Sequence, residues 1–266
     1  MISKNQIKFV KQLEMKKYRQ REGLFVAEGP KVVGDLLAAG FEPHSIFATE
    51  EWNISLTSHL SSLTAIITSN ELRKLSFLQH PQQVLAVFKA RIPSNEGPSG
   101  AVGEGITLAL DGIQDPGNLG TIIRIADWFG IDSIVCSLDT ADAWNPKVVQ
   151  ATMGSIARVS IVYTDLKEYL KHVNIPICGT LLDGDNIYAQ ELPPKAVIVM
   201  GNEGNGISAD IRQLVTRRLL IPQYREGAES LNVAIATAIT CAEFRRRNVS
   251  SIPPLPMKDK LGLGNF

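Results

Sequence analysis

The spacing of apolar and polar positions divides the chain into two runs of strands and helices, separated by a stretch with no periodicity. Ser3 can cap a helix on which Ile7, Val10, Leu13 and Met15 form the buried stripe, with lysines outside, until Gly23 ends it. Short apolar runs then predict strands at 24–27, 45–48, 65–68 and 84–88, with helices at 30–39 and 70–75. Together these make a small α/β layer unit over residues 1–92. Residues 93–105, PSNEGPSGAVGEG, have the composition of a linker. In the second run, strands at 106–110, 133–136, 159–162, 177–180, 197–200 and 219–221 alternate with a helix reaching 129 and helices at 146–153, 166–172, 209–215 and 231–247. That alternation predicts an α/β unit over 106–248, a parallel sheet covered on both faces that binds ligands at the carboxyl ends of its strands. The tail, 249–266, carries three prolines and no periodicity and reads as a loose surface arm.

The pattern is richest around the last helix. A short strand is ended by Pro222, a polar loop follows with Arg225, Glu226, Gly227 and Glu229, and Ser230 is the N-cap candidate. From Leu231 to Ala242 apolar residues fall on every face, which predicts a helix buried all round. Ser230 and Asn232 would lie at its first turn, where unpaired N–H groups and the positive end of the dipole face the loop, and Arg245, Arg246 and Arg247 suit the opposite end. Alone this is a core helix with an ordinary cap. Residues 111–130 and 197–208 change that reading, because both also place polar residues directly after apolar strands.

Composition narrows the class. A chain of 266 residues is long for one core, and 44% hydrophobic with 20% charged residues is an ordinary soluble balance. The basic start is helical and is not followed by an apolar run, so the expectation is a cytoplasmic protein with neither signal peptide nor membrane span. Cys136, Cys178 and Cys241 are odd in number, lack CxxC spacing and sit in apolar contexts, which predicts buried free thiols; the four histidines are scattered and no metal is expected. The formal net charge is zero, yet Lys4, Lys8, Lys11, Lys16, Lys17, Arg19 and Arg21 crowd the first helix against only Glu14 and Glu22. Such a run is either a solvated face or a surface that neutralises phosphates.

The loops restrict the cofactor. The turn after the first strand of the second unit, Asp111 to Gly120, lacks GxGxxG, and no GxxxxGK[ST] occurs anywhere. The glycine-dense loop Gly201-Asn202-Glu203-Gly204-Asn205-Gly206 comes late and suits an uncharged or cationic ligand held by main-chain groups. Asn118-x-Gly120-x-x-x-Arg124, then Gly201-Asn202-Glu203-Gly204, then Ile221-Pro222 with Glu229-Ser230-Leu231-Asn232-Val233 resemble the three ordered motifs of the SpoU-type (TrmH-like) RNA ribose 2′-O-methyltransferases of the SPOUT superfamily. The resemblance runs from about Thr107 to Arg247. The first unit looks like the small RNA-binding domain that often precedes this catalytic domain.

The resemblance implies a parallel sheet whose last segments form a deep trefoil knot, in which Ala234, Ala236, Ala238 and Ala242 would keep the threaded helix slim. It implies S-adenosylmethionine bound bent in the knot, with Gly201, Ile221 and Leu231 giving main-chain contacts and Thr180 and Leu181 lining the adenosine pocket. Asn118 and Arg124 would hold the acceptor ribose and its phosphate, Glu203 and Asn232 would complete a polar wall, and Ser230 would cap the helix beside the ligand. It implies a homodimer and a structured RNA substrate, rRNA ahead of tRNA because of the preceding domain. The charged loop 223–229 departs from the shorter, less charged turn of many relatives. Alternatives are a base-methylating member of the superfamily, against which Asn118, Arg124 and Asn232 argue, and an RNA-binding protein that keeps the fold without catalysis.

Overall fold

The computed structural model describes residues 2–52, 58–91, 105–225 and 230–247. The expected tail, nearly all of the expected linker, and Glu226, Gly227 and Glu229 of the last loop lie outside these residues.

Ser3 caps α1 (Lys4–Gln12) through a reciprocal capping box with Gln6. The single helix expected up to Gly23 is in fact two: Met15 is extended, and α2 (Lys16–Glu22) starts after it and ends at Gly23, whose φ of +64° is the left-handed C-cap. Arg19 accounts for the break. Its guanidinium donates to the carbonyls of Leu13 and Glu14 at 2.8 and 2.6 Å, serving groups left over at the end of α1. Val10 and Leu13 are buried as the stripe requires, but Ile7 is half-buried and Met15 is 50% exposed.

There follow β1 (Leu24–Glu28), α3 (Pro30–Ala38), β2 (Pro43–Ala48), α4 (Ser58–Leu63), β3 (Thr64–Ile66), α5 (Ser69–Leu75) and β4 (Val84–Lys89). The strand order is β1-β4-β2-β3, antiparallel except for β2 with β3. Only α4 had no counterpart in the pattern, because SHLSSL is too short and polar to show a period. Alternation assigns the two faces: Leu24 and Val26 pack with Val10, Leu13, Leu72 and Leu75, while Phe25 and Ala27 pack with Val33 and Leu36.

The second unit comprises β5 (Ile106–Asp111), α6 (Pro116–Trp128), β6 (Ser133–Ser137), α7 (Pro146–Ala151), a 3-10 turn at Ser155–Ala157, β7 (Ser160–Thr164), α8 (Leu166–Lys171), β8 (Ile177–Asn186), β9 (Ala196–Gly201), α9 (Ala209–Arg212), β10 (Arg217–Leu220) and α10 (Val233–Arg246). The strand order is β10-β8-β9-β5-β6-β7, and every pairing is parallel. Leu108, Leu110, Ile134 and Ile198 share a core with residues of α6, α7 and α10, whereas Ala109, Val135, Val197 and Val199 share one with α8 and α9. Both faces are thus covered, which is why these strands read as nearly continuous apolar runs.

The expectation of a last helix buried all round is not met. In α10, Val233, Ala234, Thr237, Cys241 and Phe244 are buried, Ala236 and Ala238 are half-buried, and Ile235 and Ala242 face solvent. Its N-cap is Asn232, whose Oδ1 accepts from the N–H groups of Ala234 and Ile235 at 2.9 and 3.3 Å; Ser230 lies two residues outside the helix. Asn232 competes better because its amide oxygen reaches the first free N–H groups and leaves Nδ2 for another partner.

Candidate functional site

The carboxyl ends of β5, β6 and β9 are tied by short polar links. Gly112, at a φ of +70°, donates its N–H to Ser137 Oγ at 2.8 Å and accepts from Asn202 Nδ2 at 2.7 Å. Asp111 Oδ2 accepts from the Ser208 N–H at 2.7 Å, joining the end of β5 to the end of the glycine loop. Within that loop Asn202 Oδ1 accepts from the N–H groups of Gly204 and Asn205, an Asx-type turn closed by the Asn202–Gly206 bridge. Gly201 can be nothing larger: a Cβ there would lie 2.2 Å from Gly206 C and 2.3 Å from Ile207 N.

Asp115 caps α6 by accepting from the Asn118 N–H at 2.7 Å, with Pro116 at the first helical position. This sets Asn118 at the mouth of the loop. Its Nδ2 donates to Glu203 Oε1 at 3.0 Å, and its Oδ1 accepts from Asn232 Nδ2 at 2.9 Å. The main-chain N–H groups of Gln114 and Asp115 also face the Glu203 carboxylate at 3.4 Å. One hydrogen-bonded row, Glu203 to Asn118 to Asn232, therefore joins the second, first and third motifs, which are up to 114 residues apart.

Arg124 does not enter that row. It lies on the exposed stripe of α6 with Thr121 and Trp128 and bonds no partner among the described residues, whereas Ile122 and Ile123 on the other side are buried. Ser230 is exposed as well. Of the expected cofactor residues, Leu181 is buried, Thr180 and Ile221 are half-buried, and Leu231 is 52% exposed rather than part of the core. Thr180 Oγ1 lies 3.5 Å from Val199 O and 3.7 Å from Met200 Sδ, beside Gly201. The register of β8 against β10 jumps from Gly179 to Asp185, and its pairing with β9 ends at Gly179, so the main chain of Thr180 and Leu181 leaves both ladders.

Asp115, Asn202 and Asp111 were not singled out in the sequence. The first two carried a signal: Asp before Pro at a helix start, and Asn opening a glycine-dense turn. Asp111 carried none, since its partner Ser208 is 97 residues away. A cavity of about 470 Å³ lies in the first unit, lined by residues such as Thr49, Arg73 and Gln83, and contains no motif residue. Among the described residues no His, Cys, Asp and Glu cluster is placed to hold a metal, and no helix is long and apolar enough to cross a membrane. Cys136, Cys178 and Cys241 are free and buried, as expected.

Comparison with known proteins covers both units of the chain. Residues 4–86 match the model of the MRM3-like substrate binding domain. The 23S rRNA (guanosine(2553)-2'-O)-methyltransferase RlmP of Bacillus subtilis is 32% identical, over 91% of this chain and 97% of that protein. The structure of a putative RNA methyltransferase of the TrmH family from Porphyromonas gingivalis is 41% identical, with a TM-score of 0.83 over 93% of this chain and 99% of that one. The AdoMet-bound rRNA methyltransferase from Sinorhizobium meliloti is 28% identical, with a TM-score of 0.80 over 93% and 96%. Because residues 105–242 match the model of the SpoU rRNA Methylase family and a relative matches along nearly its whole length, the chain belongs to that family.

Proposed function

We propose that this protein transfers the methyl group of S-adenosylmethionine to a ribose 2′-hydroxyl of ribosomal RNA. The row Glu203–Asn118–Asn232 carries the reading, because it assembles three motifs at the carboxyl edge of a parallel sheet, where such sheets bind ligands. The residues present fit the cofactor. The main chain of Thr180 and Leu181 is off the ladders, Gly201 lies beside them, and Ile221 and Leu231 follow the end of β10 and precede the Asn232 cap. On this reading Thr180 and Leu181 line the adenosine pocket, and Gly201, Ile221 and Leu231 hold the cofactor by main-chain groups. When bound, S-adenosylmethionine supplies a methyl group on a positively charged sulfur. We also assign to this segment the deep trefoil knot of the superfamily.

The chain's own groups orient the acceptor. Asn118, held at both ends of its amide, presents a fixed polar surface to the ribose, and Glu203 and Asn232 keep that amide from rotating. Arg124 anchors the adjoining phosphate and stabilises charge developing on the 2′-oxygen; guanidinium keeps its proton, so Arg124 is not the base. Ser230, beside Leu231 in the sequence, lines the mouth next to Asn232. Residues 1–92 bind the RNA, 93–105 link the units, 106–248 carry the chemistry, and 249–266 form a tail. The RNA face includes the exposed Lys4, Lys8, Lys16, Lys17 and Arg21. Arg19 and Lys11 are withdrawn from it, since Arg19 is buried on Asp142 and Lys11 bonds the carbonyl of Ser76. The functional unit is a homodimer formed through exposed apolar residues of α6 and α10, which include Trp128 and Ile235. Free buried thiols suit a reducing cytoplasm.

Incubation with tritiated S-adenosylmethionine and rRNA from cells lacking the protein, followed by nucleoside analysis, tests the reading. A 2′-O-methylated nucleoside is expected. A methylated base would indicate different chemistry, and RNA binding without product would indicate a fold that no longer catalyses.

A further inference from the structure

The two units are not merely linked in sequence, because a single apolar core runs through both. Trp144, just before α7, packs its ring 4.5 Å from Phe25 of β1 and edge-on to Phe41 at 6.2 Å. Beside it Arg19 of α2, 4% exposed, donates through Nε and Nη2 to Asp142 Oδ2 at 3.0 and 2.5 Å. At a second point Arg158, just after the 3-10 turn, reaches two carboxylates. It holds Asp127 of α6 with Nε at 3.0 and 3.1 Å from the two oxygens and Nη2 at 2.7 Å, and Nη1 lies 3.4 Å from Asp35 of α3. Asp35 is also pressed against Gly154, where a Cβ would lie 2.2 Å from its Oδ2. The first unit is thus seated on the helix that carries Asn118 and Arg124, and Asp127 lies three residues beyond Arg124.

We infer that Arg158, gripping Asp127 and Asp35 together, is a positioning residue that fixes the RNA-binding unit to the catalytic helix, so that the geometry between the units decides which ribose reaches Asn118. This rests on the function proposed above. An ion pair as open as Arg158, whose side chain is 48% exposed, adds little to stability, but several N–H groups shared among carboxylate oxygens set an orientation. Orientation is what the chemistry needs: a reacting group misplaced by about 1 Å can lose roughly 10²-fold in rate. The part-buried Arg19–Asp142 pair and the Trp144 contact keep the units together, and Arg158 sets their angle.

The experiment uses the full chain and rRNA from cells lacking the protein. In Arg158→Met and Asp35→Ala, kcat is expected to fall by about tenfold or more, with KM for RNA and cofactor affinity within about twofold, and methylation is expected to spread to neighbouring nucleotides. Arg158→Lys, which keeps the charge without the fork, should fall between these and the parent. Unchanged kcat and site fidelity overturn the inference, as does a rise in KM alone, which would make Arg158 an RNA contact. Spin labels on cysteines introduced at Lys74 and Lys171 read the geometry without catalysis, because the native cysteines are buried. A narrow distance distribution that broadens in Arg158→Met supports the inference, and a broad one in the parent overturns it. If the parent transfers no methyl group, the proposed function fails, and the labels still report whether Arg158 orients the units.

Discussion

Asn118 donates one amide N–H to Glu203 and accepts one bond from Asn232, so its orientation is fixed by protein partners while one N–H and one lone pair stay free. Arg124 is the opposite case, an exposed cation that bonds no partner among the described residues. Arg124→Ala is therefore expected to lower methyl transfer by about 10²–10³ while leaving thermal stability and cofactor binding intact; turnover within about twofold of the parent would remove its assigned role. Glu28 gives a pH-dependent case. Burial raises its carboxyl above the ordinary value of 4.5 and outweighs the hydrogen bonds from Ser76 and Phe77 and the charge of Lys11. The folded chain then holds a proton that the unfolded chain has lost, so stability from this group falls as pH rises from 4.5 through the raised value. Glu28→Gln should gain on the parent as pH is taken from about 4 to about 8, read as the difference in urea midpoints. A pH-independent difference would mean that Glu28 titrates alike in both states.

At the scale of elements, α6 and α10 pack on each other and both leave apolar residues uncovered. Trp128 is 84% exposed on α6, Ile235 is 53% exposed on α10, and Leu231 leads into that helix at 52%. Leu231, Ile235 and Ala242 recur at near-helical spacing, and a strip of that kind on an otherwise packed helix fits a second copy. Ile235→Glu is expected to convert a dimer to a monomer in light scattering without changing helix content, and an unchanged mass would place any interface elsewhere. The same helix explains why the all-round burial read from its composition was too strong. Small and apolar residues on every face serve a core on one side and, in the dimer proposed above, a subunit contact on the other, and periodicity cannot separate the two. The early break between α1 and α2 was hidden for a related reason: the lysines continue the helical pattern, while the interruption depends on Arg19 folding back onto Leu13 and Glu14.

At the scale of the whole molecule, Phe25, Phe41 and Phe88 of the first unit and Leu108, Ile122 and Val149 of the second belong to one buried cluster. Unfolding one unit would expose the other's face, so both should melt together. Far-UV and near-UV signals are expected to report one coincident transition; two separated transitions would show the units to be independent.

The strands of both sheets, most of the helices, and the order of the three motifs were legible in the chain, because short apolar runs, helical periodicity and glycine turns are set by neighbours a few residues apart. The fold class and the candidacy of Asn118, Glu203 and Asn232 followed from those signals and from the resemblance they support. Three further features were decided by tertiary structure: that Asn118 rather than Arg124 occupies the centre of the polar row, that Asn232 rather than Ser230 caps α10, and that Arg19 is buried against the other unit and Arg158 reaches across to it. The first and third depend on partners between 85 and 123 residues away, and Asn232, whose capping contacts are local, is held in place by its Nδ2 bond to Asn118, 114 residues distant. No local pattern encodes such a partner, because it is brought within bonding distance only when the two sheets have packed.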